Sequence, residues 1–391
     1  MSAVNIMKPI SHPSSEKVLV TGGAGFIGSH LVDALLQAGH HVRILDNLEP
    51  QVHGDLEARG AMPDYLNPQA EFILGDVRKP DDVERALEGI NVIFHLAALV
   101  GVGQSMYQIS RYTDINTNGA AVLLQAIANA KDRPRKMIVA SSMSIYGEGA
   151  YHCPEHGLVY PSLRPSSQLL ARDWEMHCPT PGCDQHVTSN PTGEDKPLLP
   201  TSIYAINKRD HEEMFLAVGH AYHIPTVALR YFNVYGTRQA LSNPYTGVAA
   251  IFSGRLLNHK PPVIFEDGLQ SRDFTHVSDI VQANLIAMQN PAADFGVFNV
   301  GTGRSLNILN MAEALIKHLD LDLQPEIVEK FRSGDIRHCY GDITRIQALG
   351  YSPAVRFEEG IAELVEWVRF QTAKDSFDRA RQELIQKGLT V

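Results

Sequence analysis

The chain has 391 residues, 44% of them hydrophobic and 20% charged, with a formal net charge of −10. This length can bury a large core in two lobes, and the composition is that of an ordinary globular enzyme. The negative balance argues against general nucleic-acid binding, no apolar run is long enough to span a membrane, and four cysteines are too few for a disulfide scaffold, which makes a reducing cytoplasm the expected setting.

Met1 to Glu16 reads as a polar tail containing Pro and Ser, expected to be mobile. Lys17 to Thr21 is a short apolar run suited to a buried strand, and Ser29 to Gln37 carries apolar residues at helical spacing. Gly22, Gly25 and Gly28 lie between them. The first permits a tight turn, the second lets backbone approach a pyrophosphate, and the third lets the helix lie against the strand. Free N–H groups at the helix start then face the phosphates. A second apolar run, His41 to Leu45, ends at Asp46, where a carboxylate can accept both ribose hydroxyls of an adenosine and would repel a 2′-phosphate. Strand, helix, strand and acid in this order predict a dinucleotide site that takes NAD rather than NADP.

Glu71 to Gly75 predicts a third strand, with a helix through Leu87, and Asn91 to His95 a fourth. A helix near Asn116 to Ala130 and the strand Lys136 to Ala140 continue the rhythm, which implies a parallel, doubly wound sheet with helices on both faces. The hydroxyl-rich run Ser141 to Gly147 then falls at the carboxyl edge of that sheet, where ligands bind in such folds. Ser142 there is either a hydrogen-bond donor to a substrate oxygen or part of a serine turn. Residues 148–200 break the rhythm, being rich in Pro, His, Cys, Ser and Asp, and a loop this long is either functional or carries its own support. Within it, Cys153 and His156 form a C-x2-H pair and Cys178 and Cys183 a C-x4-C pair. Three thiolates and one imidazole are a common tetrahedral zinc set, and a metal would supply folding energy where core residues are few. His152, His177 and His186 compete for the fourth place, and free thiols in a surface loop are the plainer alternative. Because the insertion falls between Ser142 and Tyr204, it is expected to rim the substrate pocket.

Regular structure resumes with a helix from Ile203 to Val218 and the strand Thr226 to Arg230. Tyr204 and Lys208 stand one helical turn apart on one face, so the ammonium can stabilise a phenolate that exchanges protons near neutral pH. A solvated helix face would carry the same pair. Further helices are expected over Val248–Leu257, Ile280–Gln289, Met311–His318 and Phe357–Thr372. The predicted organisation is a sheet lobe of 17–235 plus 276–304, with the insertion 148–200, and a smaller lobe of 236–275 and 305–391.

Several motifs together carry a family resemblance. They are TGGAGFIG (21–28), Asp46-Asn47, Gly75-Asp76-Val77, His95-Leu96-Ala97-Ala98, Asn116 in INTNG, SSMSIYG (141–147), YAINK (204–208), RYFNVYG (230–236) and SRDFTHVSD (271–279). The chain resembles the extended short-chain dehydrogenase/reductase family, in its nucleotide-sugar epimerase and dehydratase branch, from Lys17 to about Val368 outside the insertion. The resemblance implies a Rossmann-type doubly wound sheet with a smaller mixed α/β C-terminal lobe for a nucleotide-diphosphate sugar. It implies an isomerase with tightly bound NAD, and a homodimer formed through two helices of the sheet lobe. Carried over by position, Asp46 and Asp76 hold the adenosine half of NAD. Phe26, Ile27, Asn47, Val77, Leu96, Ala97, Ala98 and Tyr231 join the glycines in the cofactor site. Asn116, counted with them among the cofactor residues, steadies a helix beside the catalytic lysine. Ser142, Tyr204 and Lys208 form the catalytic trio, with Lys208 also able to reach the nicotinamide ribose. Met143 and Ser144 face the sugar, while Asn233, Arg272 and Arg332 meet the diphosphate region; the two arginines could instead pair with Asp273 and Asp335.

Dehydratases of the branch place an Asp-Glu pair where this chain has Met143 and Ser144, and related decarboxylases a glutamate in the same loop; neither is present. Oxidation and re-reduction at sugar C4 remain, which is the requirement for a 4-epimerase. The stretches 97–107, 238–258 and 261–274 resemble bacterial dTDP-L-rhamnose 4-epimerases, which act between dTDP-L-rhamnose and dTDP-6-deoxy-L-talose. The alternatives are a UDP-hexose 4-epimerase, a net C4 dehydrogenase or reductase, and, in another class, a non-catalytic NAD-sensing scaffold.

Overall fold

The structure, a computed structural model, describes residues 15–390. The expected mobile tail lies outside them except for its last two residues, and these are tied down. Ser15 Oγ donates to the Gly39 carbonyl at 2.8 Å, and the Glu16 carbonyl accepts from the His41 N–H at 2.9 Å.

Seven strands make one parallel sheet: β1 (Lys17–Thr21), β2 (His41–Asp46), β3 (Glu71–Leu74), β4 (Val92–His95), β5 (Lys136–Ser142), β6 (Thr226–Tyr231) and β7 (Val297–Val300). Their order is 3-2-1-4-5-6-7, so the winding reverses between β1 and β4 and a crevice opens at the carboxyl ends there. The helices packed on the sheet are α1 (Phe26–Gln37), α2 (Pro80–Leu87), α3 (Gly119–Asn129), α4 (Ile203–Tyr222) and α5 (Val277–Gln289). Strand alternation explains the layers. Val18 and Val20 of β1 pack with Leu31 and Leu35 of α1 and Ile280 of α5, while Leu19 packs on the other face with Val83, Leu123 and Phe215. Each fully buried aliphatic of this kind contributes roughly 1.5–3 kcal/mol, which makes the sheet a rigid base for the site.

Helix α4 runs past the expected end at Val218. Gly219 does not stop it; a Cβ there would sit 2.2 Å from Thr226 Oγ1, so the glycine serves a close approach to β6. The helix ends instead at His223, in the left-handed region at φ +55°. The helix expected over Phe357–Thr372 stops at Val368. An unanticipated helix, Phe377–Gln386, follows; its strongly charged sequence hides a narrow apolar stripe of Ala380 and Leu384.

A second apolar core gathers Phe252, Leu256 and Phe274 with Met311 and Leu315 of helix Ile308–Leu319 and Ile361 and Leu364 of helix Phe357–Val368. The insertion is not an irregular loop. Ala150–Cys153 pairs antiparallel with Gly157–Val159 on one side and Thr188–Asn190 on the other, over a small core containing Tyr151, Met176 and Val187. Its strands are too short to show a period in sequence. Among the described residues, no helix is long and apolar enough to cross a membrane.

Candidate active site

One cavity of about 590 Å³ runs from the glycine turn across the sheet edge to the second core. At its floor, Gly22 adopts φ +71°, and a Cβ there would lie 2.8 Å from the Ala97 backbone nitrogen. A Cβ at Gly28 would lie 2.2 Å from the Gly22 carbonyl oxygen, so any side chain would push α1 off the turn. Phe26, Ile27 and Gly28 open α1 without an acidic residue in its first turn, and their N–H groups have no carbonyl partner within the helix. All line the cavity with Gly25. This is a cradle shaped for phosphate oxygens.

Asp46 ends β2 inside the same cavity. Its carboxylate accepts one backbone N–H on each oxygen, from Ala24 at 3.0 Å and Leu48 at 2.9 Å, which leaves a lone pair on each for a diol. Burial raises its pKa, opposed by His53 and the backbone donors. Asp76, although buried, is held below the usual carboxylate range by Arg78, whose Nη2 donates at 2.6 Å. Asn47, Val77, Leu96, Ala97, Ala98 and Tyr231 complete this half of the lining. Among the cofactor residues expected from sequence, Asn116 alone does not line the cavity. Its amide is fully buried and holds both backbone groups of Leu99, accepting from the N–H at 2.8 Å and donating to the carbonyl at 3.1 Å. It positions the loop after β4 from behind.

Ser142, Tyr204 and Lys208 meet at the middle of the cavity. Ser142 closes β5, and its Oγ accepts from Ser144 N–H at 3.2 Å and Ser144 Oγ at 2.9 Å. With both lone pairs engaged, its own proton is free to point at a ligand. Tyr204 and Lys208 ride on α4, which is capped by Ser202 and bolted to the sheet by Glu212. That carboxylate accepts from Ser141 Oγ of β5 at 2.7 Å and from Arg230 Nε of β6 at 2.9 Å, all three groups being buried. A wrong tilt of α4 would leave a buried charge unpaired, a cost of several kcal/mol.

Burial pushes the Tyr204 phenol up to about 12, with the adjacent Ser142 hydroxyl working the other way. Burial likewise lowers Lys208 to about 7, and its Nζ donates to the Ala140 carbonyl at 2.9 Å. His95 falls to about 3 through burial and the Lys208 charge, so a neutral imidazole underlies the lysine. Burial thus disfavours the charged form of both groups, and Ser142 is the neighbour that favours the phenolate.

Toward the second core, Met143, Ser144, Asn233, Arg272 and Arg332 line the cavity as expected. Arg272 does not pair with Asp273. Its guanidinium donates to the carbonyls of Ser271, Arg337 and Ile336 at 2.7–3.0 Å, which aims the fork without neutralising it. Arg332 does pair with Asp335 at 2.8 Å and stacks on Phe265. Asn233 Oδ1, Gln239 Oε1, Gln270 Oε1 and Arg381 Nε are buried without partners, and all four residues line this one cavity. Orphaned polar atoms converging on a void are the mark of a polar ligand's place. Gln239 and Gln270 lie in the stretches 238–258 and 261–274 but carry no local signal of a ligand role, and Arg381 sits on the unanticipated helix.

Comparison with known proteins follows this geometry. The NAD dependent epimerase/dehydratase family matches over residues 18–168 and 180–301. The chain is 34% identical to a dTDP-L-rhamnose 4-epimerase of Burkholderia thailandensis, covering 90% of this chain and 95% of that one. It superposes on the UDP-glucose 4-epimerase of Thermotoga maritima bound to UDP-glucose with a TM-score of 0.71 at 31% identity, over 90% of this chain and 98% of that one. The UDP-glucuronic acid 4-epimerase of Bacillus cereus, in complex with UDP-glucuronic acid and NAD, gives a TM-score of 0.73 at 28% identity over 90% and 99% of the two chains. The glycine cradle, the Asp46 carboxylate and the Tyr204–Lys208 pair fit NAD. The chain belongs to the NAD-dependent epimerase/dehydratase family of extended short-chain dehydrogenases/reductases, and it is an isomerase of the nucleotide-sugar epimerase branch.

Proposed function

We propose that the protein is a 4-epimerase acting between dTDP-L-rhamnose and dTDP-6-deoxy-L-talose through a transient 4-keto sugar. The observation that carries this reading is the wall beside the catalytic trio. Met143 and Ser144 line the cavity there, and neither can expel a C6 hydroxyl or serve as a carboxyl acid. The relative in Burkholderia thailandensis supports the choice of sugar. The Gly22–Gly28 cradle and Asp46 would hold NAD, which would supply reversible acceptance of a hydride from the sugar. Tyr204 accepts the proton of the C4 hydroxyl and later gives it back, while Ser142 donates to the same oxygen. Lys208 holds the phenolate charge. Asn233, Arg272 and Arg332 meet the diphosphate region, joined by the unpaired Nε of Arg381. Residues 236–275 and 305–391 form the substrate lobe. The fold acts as a homodimer, for which the exposed Ile206 of α4 and the nearby Ile109 offer apolar surface.

A UDP-hexose 4-epimerase is the second reading, favoured by the superposition on the enzyme bound to UDP-glucose. Incubation of the purified protein with dTDP-L-rhamnose and with UDP-galactose, followed by NMR, separates the readings. Interconversion of the dTDP sugars without added NAD is the expected result. Turnover of UDP-galactose alone selects the second reading, turnover only with stoichiometric NAD(H) selects a net oxidoreductase, and no turnover selects an NAD-sensing scaffold.

A further inference from the structure

The proposed reaction leaves one cluster of reactive side chains unused. It lies in the insertion, where the hairpin after Ala150–Cys153 sets Cys153 Sγ 3.5 Å from His156 Nδ1. A second turn is closed by the Cys183 N–H donating to the Thr180 carbonyl at 3.1 Å and the Cys178 N–H to the Gln185 carbonyl at 2.9 Å. It brings Cys178 Sγ to 3.6 Å from the same Nδ1 and Cys183 Sγ to 3.9 Å from Cys153 Sγ. All four ligand atoms lie within 4.8 Å of one another.

These separations are the edges of a metal tetrahedron. Zinc–sulfur bonds of about 2.3 Å and zinc–nitrogen bonds of about 2.0–2.1 Å set ligand atoms roughly 3.5–3.8 Å apart. A disulfide would draw two sulfurs to about 2.05 Å and give the remaining thiol and the imidazole no reason to converge. The competing histidines are accounted for. His177 pairs with Asp173 at 2.8 Å and packs against the tilted ring of His186, centroids 4.5 Å apart, and His152 is exposed outside the group.

We propose that Cys153, His156, Cys178 and Cys183 bind one structural zinc ion that closes the insertion. Each of the three thiols releases a proton to solvent, three thiolate pairs and the Nδ1 pair fill the coordination sphere, and no electron is transferred. Four protein ligands leave no position for water or substrate, so the ion is structural. It has mechanical work to do. Tyr151, two residues before Cys153, donates to Glu148 at 2.6 Å, and Glu148 accepts the N–H groups of Arg337 and His338 at 2.8 Å each. Glu175, three residues before Cys178, pairs with the buried Arg337 at 2.5 Å. The segment so held carries Arg332 and Asp335, which line the substrate cavity. The knuckle therefore braces one wall of that cavity, whichever sugar occupies it.

Metal analysis by inductively coupled plasma mass spectrometry on full-length protein, purified without chelator, tests the assignment. One zinc per chain is expected, retained in Cys339→Ser and lost in Cys183→Ser and His156→Ala. Because the ligand variants may lose the fold of the insertion, cobalt exchange into the wild type is the second measurement, and it should give the visible absorption of a tetrahedral thiolate site. Zinc far below one per chain with no uptake on titration overturns the proposal. So does zinc content unchanged in Cys183→Ser, or a Cys153–Cys183 disulfide found by peptide mapping of metal-free protein.

Discussion

The glycine side of the cavity and the insertion side hold their shapes by different means, and the insertion, expected to rim the pocket, lines none of it and acts only through the 332–338 segment that it braces. On the glycine side, β1, β2 and α1 bury aliphatic residues on both faces of a sheet, and the groups that face phosphate are backbone atoms that cannot swing away. On the insertion side the apolar packing is thin, a cluster of six buried residues and a second in which Leu169 and Trp174 meet Phe331, and charged pairs make much of the contact to the rest of the chain. Arg164 pairs with Glu266 at 2.8 Å and Arg337 with Glu266 at 3.0 Å, all buried. Packing tolerates few changes in volume but little else disturbs it. A polar clamp tolerates volume changes and fails when one partner loses its charge. The two halves of one cavity are thus open to different insults.

The most severe test of the packed side is Gly28→Val. Its side chain has no room beside the Gly22 carbonyl, so the purified variant should carry no NAD and have a lowered Tm. A variant that kept its NAD would show that the turn is not rigid. Next, Tyr204→Phe should lower kcat by about 10³-fold or more with NAD content unchanged, because it deletes a proton carrier without touching the cradle. On the clamped side, Glu148→Ala leaves the Arg337 N–H unpaired and the His338 N–H with only its 3.2 Å bond to Tyr151 Oη, a loss of about 1–3 kcal/mol for the orphaned donor. We expect KM for the nucleotide sugar to rise about tenfold and NAD content to stay whole; joint loss of both would erase the distinction between the sides.

Two smaller effects sharpen it. Burial lowers the Lys208 pKa to about 7 in the folded state, against 10.5 for the unfolded chain. The unfolded chain therefore binds more protons between those values, and the stability of NAD-free protein should rise as pH climbs from about 7 to 10. A Tm-versus-pH series should show that slope, and Lys208→Met should flatten it. The smallest effect is expected of Arg381→Ala, a several-fold rise in KM at unchanged kcat, read from initial rates.

The sheet and the trio were legible in the sequence because each rests on local chemistry. Glycine spacing, strand-length apolar runs and a Tyr–Lys pair one turn apart are readable without knowing what they touch. Cys153, His156, Cys178 and Cys183 were readable as residue types, but their convergence was not, since it depends on strands three or four residues long. The helix from Ile203 runs past Val218 because Gly219 serves a close approach to Thr226, a contact that sequence spacing does not show. The helix Phe377–Gln386 was missed because most of its residues face water and its apolar stripe is two residues wide. Asn116 was placed in the cofactor site, whereas its amide acts one layer behind, on the backbone of Leu99.

The seventh strand of the sheet has a consequence for how the molecule is made. Strand β7 pairs with β6, yet some sixty-five residues of other structure separate them in the chain. During synthesis the edge of β6 stays open until Val300 has left the ribosome, with the first six strands already available to collapse. An unprotected parallel edge is a template for pairing with another chain. The nascent protein therefore passes through a window in which its largest hydrophobic body lacks its last strand, and a chaperone that holds that edge would have its greatest effect on chains ending between Tyr231 and Val300.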